Sequence, residues 1–299
     1  MPELPEVESL RRSLMPHLIG AKVTDAQLLR ADVCESIDGH GRGHRTSAPD
    51  LLRGARIVEL TRRGKQLSII AEDGRVLCVH LGMSGQLLVH HKNAALTNNH
   101  IHAYWLMKHA DGSTTKLCFR DPRRFGGLWT FPSVDALLAH RWNALGPDAL
   151  DITASHLHAA AAPSRRAIKA LLLDQSVLAG VGNIYADEAL FEAGISPRQS
   201  SRSVSLPALE RLAAALRAIL AEAISRGGST LRDYQDADGN SGTATLTHRV
   251  YGRGGLPCVR CGRRLAVDEV AQRTTVWCRQ CQRGPNKHAS TTMTERATI

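Results

Sequence analysis

Apolar residues recur at two different periods along this chain, and the change from one to the other divides it. Near the start, Val7, Leu10 and Leu14 fall at the spacing of one helical face, and Pro5 suits a first-turn position. Short β-branched or leucine-rich stretches follow, at Gln66–Ala71, Val76–Leu81 and Gln86–Val89. Turn signals at Asp73-Gly74 and Ser84-Gly85 separate them. That pattern predicts antiparallel strands in a sandwich or curved sheet up to about residue 145. Around Gly146-Pro147 the chain becomes alanine- and leucine-rich. Leu209, Leu212, Leu216, Ile219 and Ala223 then form one helical stripe within Ala208–Ile224, which Gly227-Gly228 stops. The polar, glycine-bearing stretch Asp236–Gly242 reads as a mobile loop. No internal repeat is present. The expected organisation is a sandwich over 1–145, a helical unit over 150–235, a cysteine-rich module over 249–283 and a disordered tail over 284–299.

Composition narrows the class. The 299 residues are enough for about two domains, and 43% hydrophobic against 22% charged residues excludes a disordered polyelectrolyte. Uncharged apolar runs such as Ala213–Leu216 fall far short of the roughly 18 residues that span a bilayer. The first residues, Met-Pro-Glu-Leu-Pro-Glu-Val-Glu, place acids where a secretory signal carries basic residues, so a cytoplasmic location is expected. Seven cysteines, an odd number in a reducing compartment, argue against a disulfide framework. Lys and Arg number 38 against 28 Asp and Glu, a formal charge of +10. A basic surplus favours a polyanionic partner, because each cation placed on a phosphate releases condensed counterions.

The sharpest local signal is Cys258-x2-Cys261 followed by Cys278-x2-Cys281. Two residues between paired cysteines let both thiolates of a knuckle face one ion. Two knuckles make a closed tetrahedral set with no open position, so the metal is expected to be structural. Zinc is the first choice, and iron in a four-thiolate cage is the alternative that the ligand set leaves open. Cys34, Cys78 and Cys118 lack partners at metal spacing and read as packing residues. Arg253, Arg260, Arg263, Arg264, Arg273, Arg279 and Arg283 surround the cysteines against only Asp268 and Glu269, which suits a phosphate-facing module.

Two further segments carry chemistry. Leu178-Ala-Gly-Val-Gly-Asn-Ile-Tyr places two glycines and Asn183 before a helical stretch, with Asn183 as a cap and the free N–H groups as an anion site. The G-x-G-x-x-G and Gly-Lys-Ser/Thr patterns are missing from it, which excludes dinucleotide and triphosphate sites. At the amino terminus, removal of Met1 would leave Pro2 as a secondary amine. Such an amine condenses with an aldehyde carbon to a cationic iminium, and an α-amine with a reference pKa near about 8 is nucleophilic at neutral pH. Glu3 beside it can move protons if burial raises its pKa.

Together these residues resemble the bacterial formamidopyrimidine-DNA glycosylases. The resemblance rests on Met-Pro-Glu-Leu-Pro-Glu-Val-Glu, Arg63-Gly64-Lys65, His80-Leu-Gly-Met-Ser-Gly85, Asp121-Pro-Arg-Arg-Phe-Gly126, Gly180–Glu188 and the four-cysteine module. These run in order from residue 1 to about 283. The resemblance implies an α+β multidomain fold: an N-terminal catalytic β-sandwich, a helix-two-turn-helix domain and a zinc finger hairpin, with damaged double-stranded DNA in the cleft between them. It further implies a monomer that removes oxidised purines and then cuts the strand by β- and δ-elimination. Pro2 would be the nucleophile at C1′, Glu3 the acid/base that opens the sugar, and Glu6 its helper. Lys65 would contact a phosphate and assist elimination, and Arg273 would serve the second elimination. Met83 and Phe125 would fill the hole left by an extruded base, with Arg123 on the orphaned partner. His100, Arg165, Lys169 and Asn183 would hold phosphates, and Cys258, Cys261, Cys278 and Cys281 one structural Zn2+.

One departure touches the lesion. Relatives commonly carry an aromatic pair in the loop over the flipped base, where this chain has Thr243-Ala244. The competing readings are an endonuclease VIII-like enzyme that prefers oxidised pyrimidines and a catalytically silent DNA-binding relative. Leu4 in Pro-Glu-Leu-Pro-Glu and the Met83 motif favour the purine branch.

Overall fold

In a computed structural model, residues 2–91, 99–229 and 234–283 are described; the expected tail, 284–299, lies outside them. Helix α1 (Leu4–Leu18) opens the chain. One sheet orders β1 (Lys22–Leu28), β8 (Ile101–Lys108), β9 (Thr114–Arg120) and β7 (Gln86–His91). The other orders β3 (Gly43–His44), β2 (Cys34–Ile37), β10 (Gly127–Phe131), β6 (Val76–His80), β5 (Gln66–Ala71) and β4 (Ile57–Arg63). Helices α2 (Val134–His140), α3 (Ala154–Ala161), α4 (Ile168–Leu173), α5 (Asn183–Ala193) and α6 (Leu206–Ser225) follow, and the hairpin β11 (Ala266–Val270) and β12 (Arg273–Trp277) ends the described chain.

The strand period decides what each face covers. Leu77 and Val79 of β6 join Trp105 and Phe119 of the opposite sheet in one core, which also takes Val7, Leu10 and Leu14 from α1. Val76 and Cys78 point the other way, into a smaller core with Leu137 and Trp142. Burial on both faces explains why β5 and β6 read as nearly unbroken apolar runs. The sandwich departs from the expected antiparallel pattern at one place: Leu128–Thr130 of β10 runs parallel to Cys34–Ser36 of β2. These strands are far apart in sequence, and the intervening chain supplies the long crossover that a parallel pair requires.

The helical unit has its own core, in which the α6 stripe of Leu209, Leu212, Leu216 and Leu220 packs on Ile184, Ala189 and Leu190 of α5. Leu4 of α1 belongs to this core, while Val7 and Leu10 belong to the sandwich. The first helix therefore joins the two halves, and its N-terminal end lies where they meet. The loop expected over Asp236–Gly242 is tethered: Ala237 is buried, donates to Ser13 Oγ and accepts from the Val89 N–H, and Asp238 pairs with His17. No helix among the described residues is long and apolar enough to cross a membrane.

Candidate active site and nucleic-acid interface

Pro2 is buried, and Glu3, the residue preceding α1, is 2% exposed. The Glu3 carboxylate reaches across the domain boundary to the start of α5. Its Oε2 accepts the Gly182 N–H at 2.6 Å and its Oε1 the Ile184 N–H at 2.9 Å. A Cβ on Gly182 would sit 2.5 Å from Glu3 Oε1, so only glycine permits the approach. The anion site expected at this helix start exists, but the anion that fills it belongs to the protein. Gly182 precedes the first helical residue, Asn183, whose Nδ2 donates to the Thr274 carbonyl at 2.9 Å. Asn183 therefore ties α5 to the finger hairpin instead of capping its own helix.

Burial pushes the Glu3 carboxyl up to about 7. The Lys65 charge and the two backbone N–H groups oppose that rise, and the Glu6 charge adds to it. Glu6 is buried as well, with its own carboxyl raised above the usual range chiefly by desolvation. Its Oε2 accepts the Glu3 backbone N–H at 2.7 Å, and its Oε1 accepts Tyr185 OH and the Ser229 N–H, each at 2.7 Å. Both Glu6 oxygens are thus engaged, one on the Pro2-Glu3 peptide and the other on Tyr185 and Ser229.

Glu3, Lys65, Met83, Tyr251 and Arg273 line one cleft of about 420 Å³. Lys65 is the second residue of the two-residue turn between β4 and β5. That turn is fixed from the helical side: Asp148 accepts both terminal nitrogens of Arg62, at 2.6 and 3.1 Å, and the Gly64 N–H at 2.9 Å. Burial lowers the Lys65 pKa, while the Glu3 and Glu6 charges raise it. Arg273 is exposed at the tip of the β11–β12 hairpin, after a two-residue turn in which Ala271 and Gln272 both adopt positive φ.

Met83, 39% exposed, and Phe125, 56% exposed, lie on adjacent loops. The loops touch through Gly82, where a Cβ would fall 2.2 Å from the Phe125 carbonyl carbon. Arg123 is exposed and stacks its guanidinium 4.7 Å from the Phe125 ring centroid. Asp121, absent from the sequence-based assignment, organises this apex. Wholly buried, it accepts Ser84 Oγ at 2.6 Å, the Gly126 N–H at 2.7 Å and the Arg123 N–H at 3.3 Å. Its signal was in plain view, since an aspartate opening Asp-Pro-Arg-Arg can bond backbone N–H groups a few residues on.

Of the residues expected on phosphates, His100 and Arg165 are exposed. Lys169 is not. It is fully buried, paired to Asp187 Oδ1 at 2.7 Å, and donates to Thr275 Oγ1 at 2.7 Å and the Thr274 carbonyl at 3.2 Å. An ammonium has three protons, and all three are used. The expected phosphate contact is therefore corrected to an internal one, in which Lys169 fastens α4 and α5 to β12. Glu188, another buried acid that sequence reasoning missed, takes the backbone N–H groups of Arg249, Val250 and Tyr251 at 2.9, 2.9 and 2.7 Å.

The four cysteines place their sulfurs within 4.8 Å of one another. Cys258 to Cys281 measures 3.9 Å and Cys261 to Cys278 3.5 Å. A tetrahedron with metal–sulfur bonds of about 2.3 Å has edges of about 3.8 Å, so the set fits one zinc ion. Backbone N–H groups of Arg260 and Cys281 point at Cys258 and Cys278 sulfurs, as thiolates require.

Comparison with known proteins agrees with this geometry. Residues 1–128 match the formamidopyrimidine-DNA glycosylase N-terminal domain, 144–235 the H2TH domain of the same enzymes, and 255–284 the zinc finger found in FPG and IleRS. The formamidopyrimidine-DNA glycosylase of Xanthomonas oryzae pv. oryzae is 44% identical over 95% of this chain and its own full length. That of Desulfitobacterium hafniense is 38% identical over 94% of the chain, again over its full length. The crystal structure of MutM (FPG) from Thermus thermophilus superposes with a TM-score of 0.79 at 40% identity, covering 94% of this chain and 98% of that one. A Lactococcus lactis Fpg in complex with DNA containing an abasic site superposes with a TM-score of 0.81 at 31% identity, covering 94% and 99%. The finger motif, the cysteine geometry and these relatives together assign one structural zinc. The chain belongs to the formamidopyrimidine-DNA glycosylase family.

Proposed function

We propose that this DNA glycosylase and abasic-site lyase works through Pro2 as nucleophile, with Met1 removed, on oxidised purines in duplex DNA. The observation that carries the reading is the Glu3 carboxyl, held near pH 7 beside Pro2 in the cleft that Lys65 and Arg273 also line. An acid whose pKa matches the working pH can give and take a proton within one cycle. The Pro2 nitrogen attacks C1′ and the base departs. Glu3 protonates the sugar ring oxygen as the ring opens, which leaves the iminium as electron sink for elimination. Lys65, held below its usual pKa by burial, is suited to accept a proton in the β-elimination and to bind phosphate. Arg273, at the exposed hairpin tip, serves the second elimination.

Base removal from a duplex needs extrusion of the nucleotide, and Met83, Arg123 and Phe125 form the exposed apex suited to fill the gap. His100 and Arg165 supply phosphate contacts at the surface. Asn183 bears on the strand through the finger hairpin it anchors. A Lactococcus lactis FPG mutant in complex with Fapy-dG DNA and a MutM in complex with carbocyclic 8-oxo-G DNA are structural relatives, which supports a purine lesion. The enzyme is proposed to act as a cytoplasmic monomer, bound to the nucleoid through its DNA contacts. Borohydride trapping on a duplex with one 8-oxoguanine opposite cytosine tests the proposal. A covalent adduct is expected from protein with a free Pro2. Loss of the adduct is expected for Pro2→Gly, and equal adduct formation by that variant would remove the proline ring nitrogen from the mechanism.

A further inference from the structure

A second cavity, of about 330 Å³, shares no lining residue with the catalytic cleft. Tyr185, Glu188 and Glu192 of α5, Glu222 of α6, and Thr247 and His248 are among its walls. From it a continuous chain of polar atoms runs to the catalytic peptide. His248 Nε2 meets Ser229 Oγ at 3.1 Å, Ser229 Oγ meets Tyr185 OH at 3.2 Å, and Tyr185 OH donates to Glu6 Oε1 at 2.7 Å. The other Glu6 oxygen accepts the Glu3 N–H.

Donor counting orders these hydrogens. Tyr185 has one proton and gives it to Glu6, so it accepts from Ser229, which in turn accepts from His248 Nε2–H. The reverse ordering protonates Glu6 and leaves a neutral His248 accepting from Ser229. Passing between the two moves one proton. The His248 Nε2–H bond breaks as a Ser229 O–H bond forms, Ser229 hands its proton to Tyr185, and Tyr185 hands its own to Glu6. An imidazolium becomes imidazole and a carboxylate becomes a carboxylic acid, with no other reactant.

The geometry points to His248 as the outer end of a proton path that sets the charge on Glu6, and hence as a positioning residue for the Pro2-Glu3 peptide. This rests on the roles proposed above for Pro2 and Glu3; the two cavities share no lining residue, and Tyr251 of the catalytic cleft packs edge-on against His248. The groups facing His248 are Glu188 and Glu192 from α5, Glu222 from α6, the adjoining Arg249, and Tyr251, whose ring stands edge-on at 5.6 Å. Burial holds the imidazole below its usual pKa, and the Glu188 charge opposes that shift. The ring is therefore neutral at pH 7 and takes its proton on acidification.

The test is the single-turnover rate of borohydride-trapped adduct on an abasic duplex, followed from about pH 5 to 9 across the range where histidine titrates. Wild-type protein is expected to show a further acid-side inflection, below the one that Glu3 itself sets near 7. His248→Gln keeps a donor for Ser229 but cannot titrate, so it should hold the neutral-pH rate within about twofold and lose that inflection. His248→Leu should lose the inflection and about fivefold in rate, the worth of one neutral hydrogen bond. Ser229→Ala, with His248 intact, should also lose the inflection. Duplex affinity, measured alongside, should match wild type in all three and so report intact folding. Superimposable acid limbs in wild type, His248→Gln and Ser229→Ala would overturn the proton path. Absence of any adduct from wild type would instead overturn the Pro2 mechanism on which it stands.

Discussion

The carboxylate of Glu3 closes the N-terminus of the helix that begins at Asn183, through the N–H groups of Gly182 and Ile184. The acid proposed to move protons in catalysis is thus fastened to a helix of the other domain, and its position depends on how the two halves meet. The helix start favours the anion, yet burial wins and the carboxyl sits near 7.

That balance makes a stability prediction. Below about pH 4.5, Glu3 is protonated both folded and unfolded and contributes no penalty. Between that value and about 7 the unfolded chain ionises while the folded chain resists, so stability falls as pH rises. Above 7 the penalty is complete, at most about 3.5 kcal/mol from the ~1.4 kcal/mol of each pKa unit. Glu3→Gln should therefore lose excision activity and gain stability relative to wild type at pH 8 but not at pH 4.5. The gain will be smaller than the full penalty, because an amide oxygen can replace only one of two acceptors. Urea unfolding at the two pH values measures it, and an equal effect at both would contradict the buried, raised acid.

Lys169 yields the opposite kind of prediction, since its pair with Asp187 is wholly buried. Lys169→Met leaves Asp187 without its cation and should cost about 3–5 kcal/mol, the usual loss when one partner of a buried pair is removed. Asp187→Asn in the same chain should recover part of it, because the introduced amide oxygen can still accept the Val276 N–H that Asp187 accepts at 3.0 Å. The salt dependence of duplex affinity in that double variant should equal wild type. A slope reduced by about one in log–log units would mean that Lys169 neutralises a phosphate after all.

Asp121→Ala should uncouple the apex from the sandwich. The Ser84 hydroxyl and the N–H groups of Arg123 and Gly126 lose a common acceptor, at a cost of about 1–3 kcal/mol in stability. Excision from a paired duplex, which needs extrusion, should fall more than cleavage of an abasic single strand, which does not. Equal loss on both substrates would place the role of Asp121 in folding alone.

Much of this was legible in the sequence because it is local. The strand at Gln66–Ala71 begins and ends where its turn residues say, and the α6 stripe and the doubled cysteine knuckles are periodic patterns that need no partner to be read. What escaped was set by approach from a distance. Nothing near Asn183 announces that Glu3 fills its helix start, and nothing near Lys169 announces Asp187 and the Thr275 hydroxyl. A lysine in the first turn of a helix, just after Arg165-Arg166, has the same local pattern whether a phosphate or an aspartate meets it. Tyr185, Ser229 and His248 are far apart in the chain and become one network only after folding.

The finger offers a separate test, because its metal site and Arg273, proposed above for the second elimination, are at opposite ends of one strand. Cys278 follows β12 directly and Arg273 begins it. The strand is held along its length by Asp187, Asn183 and Lys169. Removing zinc should release the cysteine end first, since the four sulfurs take up protons and lose the cation that ties them together, and only Phe191, Val250, Leu265 and Val276 remain to pack there. Chelation should release one zinc per chain and abolish duplex binding. The sandwich core, which shares no residue with the finger core, should keep its unfolding transition. Cys258→Ser should mimic chelation at ordinary zinc concentrations. Should metal-free protein bind duplex as tightly as the loaded form, the finger would not be what holds Arg273 against the strand, and the pins from Asp187 and Lys169 would suffice by themselves.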